Sequence, residues 1–146
     1  MTTIAWDGTT LAGDTQALTS YKWEVDKVWQ INKTTIFAGA GSYASIYEVM
    51  LWLCDPEDKD RPTLEEDFVG IVVRDGRAFR IQSNLVEFPI KENAHAIGSG
   101  APFAITAMFL GKTAEEAVEI ASQFDETTGG NITSIVAPVV SKIVGL

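Results

Sequence analysis

Short apolar runs, each closed by a glycine-, aspartate- or asparagine-containing pair, set the rhythm of the first forty residues. Ile4-Ala5-Trp6 and Thr9-Thr10-Leu11-Ala12 are β-favouring runs joined by Asp7-Gly8, a dipeptide suited to the positive φ angles of a tight hairpin. Gly13-Asp14-Thr15-Gln16 breaks the alternation, and residues 17–24 read as an irregular connection. Val25, Lys27-Val28-Trp29-Gln30-Ile31 and Thr34-Thr35-Ile36-Phe37-Ala38 predict a second hairpin about Asn32-Lys33. The period then changes. After the small-residue turn Gly39-Ala40-Gly41-Ser42, residues 43–54 carry Ile46, Val49, Met50 and Leu53 at helical spacing, with Glu48 off that stripe.

Residues 55–62 are charged and hold two prolines, so they form a surface loop. Residues 68–73 and 77–81 predict a third hairpin across Asp75-Gly76. Residues 85–90 continue as extended chain with Pro89 at an edge or bend, and 95–97 form a further short strand. Gly98-Ser99-Gly100-Ala101-Pro102 reads as a helix entry with Ser99 as candidate cap. The helix over 103–110 is apolar nearly all round and needs something over its second face. Thr113-Ala114-Glu115-Glu116 is a capping-box signature, and Ala117, Val118, Ala121 and Phe124 give the following helix one buried stripe. Residues 125–131, with Gly129-Gly130, turn into a strand at 132–136, and a last strand is expected over 139–144. Helices do not alternate one for one with strands, so the pattern predicts an α+β chain of stacked antiparallel sheets flanked by helical layers. There is no repeat or linker, and residues 1–146 read as one domain.

Composition narrows the functional classes. A hydrophobic content of 46% with 21% charged residues is that of a globular chain. Net charge is −9 and no Lys/Arg cluster occurs, which argues against a nucleic acid or an anionic membrane as partner. The single Cys54 cannot form an internal disulfide, fits a reducing compartment, and lies in an apolar run where it is expected to be a small buried hydrophobe. His95 is also single, and neither a zinc site nor a Ser-His-Asp triad can be assembled around it with convincing spacing. The start has no basic and apolar leader pattern, and a cytoplasmic protein is expected.

Candidate chemistry sits at the start. With Met1 removed, Thr2 would carry a hydroxyl and a free α-amine on one residue, which is the minimum apparatus of an N-terminal nucleophile. An α-amine titrates near about 7.7–8.0, so part of it can accept the hydroxyl proton at neutral pH. The same residues also serve as an ordinary strand entering a hairpin. Lys27, in an apolar strand, has no structural task of its own and calls for an acidic partner. The turn around Gly41 has the strand-to-helix form whose backbone N–H groups can face an oxyanion, and plain turn chemistry explains it as well.

Taken in order, these pieces resemble proteasome β-type proteases. The pieces are Thr2-Thr3-Ile4, Ala12-Gly13-Asp14 with Gln16, Lys27-Val28, Ala40-Gly41-Ser42-Tyr43-Ala44, the run from Ala96 to Ala104 and Asp125 through Gly129-Gly130. Among those proteases the HslV type, the proteolytic subunits of a bacterial two-component ATP-dependent protease, is nearest. The resemblance implies an N-terminal-nucleophile hydrolase with a four-layer αββα sandwich of two antiparallel sheets. It makes Thr2 the nucleophile, Asp14 the partner of Lys27, and Gly41 the backbone oxyanion donor. Ser99, Asp125 and Thr128 become the groups around the amine, and Val25, Trp29, Gly39 and Tyr43 the side-chain pocket. It further implies a threonine endopeptidase without metal or organic cofactor, acting on peptide or unfolded protein within a self-compartmentalised homo-oligomer fed by an AAA+ ATPase. Between Cys54 and Phe68 a charged loop stands where the family has a longer first helix and a second one, so one helical layer is expected to be reduced. Two rival readings keep the fold: an amidase acting on a small amide, and a non-catalytic assembly or scaffold protein.

Overall fold

The computed structural model describes residues 2–138, so Met1 and the strand expected over 139–144 lie outside the described residues. Within them the chain is α+β, with antiparallel sheets and three helices. β1 (Ile4–Trp6) and β2 (Thr10–Asp14) form the opening hairpin. β3 (Gln16–Leu18) and β4 (Lys22–Glu24) pair only with each other. β5 (Val28–Gln30), β6 (Thr35–Ala40), β7 (Val69–Arg74), β8 (Arg77–Gln82) and β9 (Phe88–Pro89) make a five-stranded sheet in chain order, with α1 (Tyr43–Cys54) between β6 and β7. β10 (His95–Ile97) and β11 (Ile132–Val136) flank the opening hairpin in the order β10-β1-β2-β11, with α2 (Ala101–Phe109) and α3 (Ala114–Phe124) between them in sequence. Among the described residues no helix is long and apolar enough to cross a membrane.

The period of two along each strand sorts the core. Ile4, Trp6 and Leu11 face Val28, Ile36, Ile71 and Val73, which buries one face of the four-stranded sheet against one face of the five-stranded sheet. Ala5 and Ala12 point the other way, onto Ala104, Ala107, Ala117, Val118 and Ala121 of α2 and α3. The alanines let those helices approach the sheet closely. On the far face of the five-stranded sheet, Phe37, Val72 and Ile81 pack with Phe68 and with Ile46 and Val49 of α1. β6 shows the alternation residue by residue, with Ile36 and Ala38 in the intersheet core and Phe37 under α1.

Several expectations are corrected here. Residues 17–24 are a hairpin rather than an irregular connection. Three-residue strands carry too little periodicity to stand out, and this pair is tied down by distant residues: the Thr15 hydroxyl donates to the Asn131 carbonyl at 2.7 Å, and the Asn131 N–H donates to Glu24 at 3.2 Å. Lys27 lies just before β5 rather than inside it. Phe124, expected in the buried stripe of α3, is 66% exposed and stacks on Phe103 at 5.4 Å, because the buried stripe ends at Ala121. The second face of α2 has no cover from the described residues, and Phe109 is 87% exposed. Cys54 is exposed rather than buried, since it ends α1 past the last turn that meets the sheet. The cap of α2 is Gly100 without a side-chain cap bond, so Ser99 is not the cap. The capping box of Thr113 and Glu116 is present as expected.

Candidate active site

The β1–β2 register sets Thr2 and Thr3 beside the end of β2. The Asp14 N–H donates to the Thr3 carbonyl at 3.2 Å, and the Thr3 N–H donates to Asp14 Oδ1 at 3.1 Å. A second backbone donor, Gly129 N–H, reaches Asp14 Oδ2 at 3.1 Å. The carboxylate is buried, and its cation is Lys27, whose Nζ lies 3.1 Å from both Asp14 oxygens. Lys27 is itself only 3% exposed. A buried ion pair needs its remaining donors and acceptors met, and here they are. An ammonium has three protons, and Nζ also donates to the Gln16 carbonyl at 2.8 Å and to the Thr2 hydroxyl at 3.0 Å. Burial draws the Lys27 pKa below the usual lysine value, while the charges of Asp14 and Asp125 and the Asp14 hydrogen bond pull against that shift.

The nitrogen of Thr2 is held from the other side. It donates to Ser99 Oγ at 3.1 Å, and Ser99 Oγ donates to Asp125 Oδ2 at 2.6 Å. Asp125 also accepts from the Thr128 hydroxyl at 2.7 Å and the Thr127 hydroxyl at 2.9 Å. Thr128 shares a further hydrogen bond with the Thr3 hydroxyl at 2.7 Å, tying this loop to the opening strand. Partial burial would raise the Asp125 pKa, but the hydrogen bonds from Ser99, Thr128 and Thr127 outweigh it and hold the carboxyl at about 2. A carboxyl whose folded pKa is depressed stabilises the fold above its unfolded value, and that contribution is lost as pH falls towards the folded one. Asp125→Asn is therefore expected to melt below wild type at pH 7. The gap in melting temperature should shrink as pH falls from about 4 to about 2.

Glycines make the close approach feasible. At Gly98, φ is +93°, and a Cβ there would lie 2.1 Å from the Thr2 carbonyl oxygen. At Gly100 a Cβ would lie 1.9 Å from Thr3 Oγ1. Gly98→Ala is expected to lower stability by about 1–3 kcal/mol through backbone strain and overpacking, read from the urea midpoint. At Gly41, φ is +105° and a Cβ would meet the Asp67 carbonyl oxygen at 2.6 Å, so only glycine fits this turn.

Thr2, Lys27 and Gly41 line one cleft of about 210 Å³, with Val25 and Tyr43 on its wall. Of the expected pocket residues, Trp29 and Gly39 do not reach it. Trp29 falls on the other face of β5 from buried Val28 and stacks on Phe37 at 6.0 Å. Gly39 is overlaid by Ile46, whose carbons would meet a Cβ at 3.1 Å. Ser99, Asp14, Asp125 and Thr128 gather behind the cleft around Thr2 and Thr3. Sequence reasoning missed Thr127, Leu18 and Trp23, all of which line the cleft. Thr127 had a signal, since a threonine two residues after an aspartate can close an Asx-type turn. Leu18 and Trp23 were hidden by the overlooked hairpin.

No family model matches the sequence, and no curated relative matches it. Solved structures do match the fold. A structure of Thiobacillus denitrificans BPH in complex with epoxomicin is 18% identical, with a TM-score of 0.72 over 94% of this chain and 98% of that one. HslV from Trypanosoma brucei is 23% identical, with a TM-score of 0.71 over 92% of this chain and 98% of that one. A second structure of the Thiobacillus denitrificans protein gives 18% identity and a TM-score of 0.68 over 94% and 97% of the two chains. At these identities the likeness is one of fold, and the chain has the HslV/proteasome β-like fold.

Proposed function

We propose that this chain, built on the HslV/proteasome β-like fold, is a threonine peptidase that uses Thr2 as its nucleophile once Met1 is removed. The observation that carries the reading is the grip on Thr2 from two sides: Lys27 Nζ lies 3.0 Å from its hydroxyl, and Ser99 Oγ lies 3.1 Å from its nitrogen. The hydroxyl oxygen attacks the peptide carbonyl while its proton passes to the freed α-amine, directly or through one water. The Lys27 ammonium stabilises negative charge on the attacking oxygen, and Asp14 keeps that ammonium charged and aimed. The Gly41 N–H serves as donor to the carbonyl oxygen as it becomes an oxyanion, an interaction worth about 10²–10³ in rate elsewhere. The leaving amine takes the proton and departs with the C-terminal part of the peptide. The N-terminal part stays on Thr2 as an ester, which water then hydrolyses.

Ser99, Asp125 and Thr128 act as positioning residues that fix the amine. Val25 and Tyr43 contact the substrate side chain. The layers are read as an αββα sandwich within one domain, with one helical layer reduced between Cys54 and Phe68. The exposed apolar residues Phe103 and Phe109 of α2, Leu110 at its end and Phe124 of α3 support self-association into a homo-oligomer. An enclosed cytoplasmic chamber, with an AAA+ ATPase feeding it unfolded protein, would then confine the activity. The experiment is intact-mass measurement of the purified chain followed by fluorogenic-peptide turnover. The reading expects a chain beginning at Thr2 that hydrolyses the peptide, and it fails if such a chain is inert.

A further inference from the structure

Trp23 is an exposed tryptophan on a two-stranded hairpin that, among the described residues, has no other sheet partner. It belongs to none of the three apolar cores, and 44% of its surface is open to water. Large aromatic surface left uncovered beside a reactive group is characteristic of recognition rather than folding. The position is specific. The Thr2 cleft, of about 210 Å³, adjoins a second recess of about 300 Å³ that holds Glu24 and Asp26, and Trp23, Val25 and Tyr43 line both. The base of the hairpin is anchored by Thr15 and Glu24 to Asn131 and by the Gln16 carbonyl to Lys27, so the wall is carried on a fixed footing. Its cross-strand neighbour is Ala17, which is too small to fill the space that the indole occupies.

We propose that Trp23 is a specificity-determining residue: its indole divides the Thr2 cleft from the adjoining recess and limits the size of the apolar substrate side chain that enters. The inference rests on the peptidase reading above. With the indole in place, the cleft offers Leu18, Ile46 and the indole itself as apolar contacts, and the indole shares its border with the recess with Val25 and Tyr43. Without it, the two hollows merge and a larger ring system gains room. Binding-site discrimination by apolar fit alone is worth about 10- to 200-fold, and the expected change sits at the lower end because the recess is open to solvent.

The test compares wild type, Trp23→Ala and Trp23→Phe on three peptides that differ only at the residue whose carbonyl is attacked: leucine, phenylalanine or naphthylalanine. For Trp23→Ala the ratio of kcat/KM for naphthylalanine over leucine should rise about 10-fold, mainly through KM, with Trp23→Phe in between. Dissociation constants for the same peptides are measured in parallel on the Thr2→Ala chain with and without the Trp23 change. This arm reads the partition even if Thr2 is not the nucleophile. Matching circular dichroism spectra establish that each variant is folded. Ratios within twofold of wild type in both the turnover and the binding arms would overturn the proposal. A shift in the binding arm with no hydrolysis by wild type would uphold the partition and defeat the peptidase reading.

Discussion

Thr2→Ala is expected to remove peptide hydrolysis by about 10⁴-fold or more, to the level of the uncatalysed background, while the chain stays folded. The substitution deletes the hydroxyl that accepts from Lys27 at 3.0 Å and leaves the nitrogen that donates to Ser99. A hydrogen bond to a charged group contributes about 1.5–3 kcal/mol, so stability should fall by no more than that. Thr2→Ser, which keeps the hydroxyl and the amine, should retain measurable turnover. The comparison separates chemistry from structure, because both variants alter packing at the same buried position and only one removes the nucleophile.

Lys27→Met is expected to have the largest effect on stability and to abolish activity as well. Methionine fills nearly the volume of the lysine stem but leaves the Asp14 carboxylate buried without its cation. Breaking a buried pair from one side costs about 3–5 kcal/mol, which urea denaturation at neutral pH will read directly. Adding Asp14→Asn to Lys27→Met removes the stranded charge, so the double variant should recover much of the lost stability. It should recover none of the hydrolysis, since no ammonium then faces the Thr2 hydroxyl. Recovery of both would assign the pair a purely structural role.

How much of this was legible beforehand depends on the range of the interaction. The boundaries of α1 and the capping box of α3 are local matters of periodicity and end groups, and the sequence carries them in full. Asp14 and Lys27 are thirteen residues apart; a lysine in an apolar stretch demands some acid, and only the resemblance to proteasome β-type proteases singles out Asp14. Serine before a helix reads as a cap by ordinary preference, and only the resemblance sets Ser99 beside the amine. The fold spends the Ser99 hydroxyl on Thr2 and Asp125, and Gly100 takes the cap position. Trp29 and Trp23 show the opposite error at neighbouring strands. A one-residue difference in strand phase sends a side chain to the other face of a sheet, so Trp29 packs under α1, while Trp23, on a hairpin too short to announce itself, borders the cleft. The exposure of Phe109 and Phe124 could not be read from an apolar pattern, which says only that a face needs covering.

The central claim is that Thr2 is the reacting group, and covalent labelling tests it most directly. A chain shown by mass to begin at Thr2 is treated with a peptidyl vinyl sulfone, digested with trypsin and mapped by mass spectrometry. The account predicts a one-to-one adduct within the N-terminal peptide that ends at Lys22, lost in Thr2→Ala. Labelling confined to the exposed Cys54, or none at all, would contradict it.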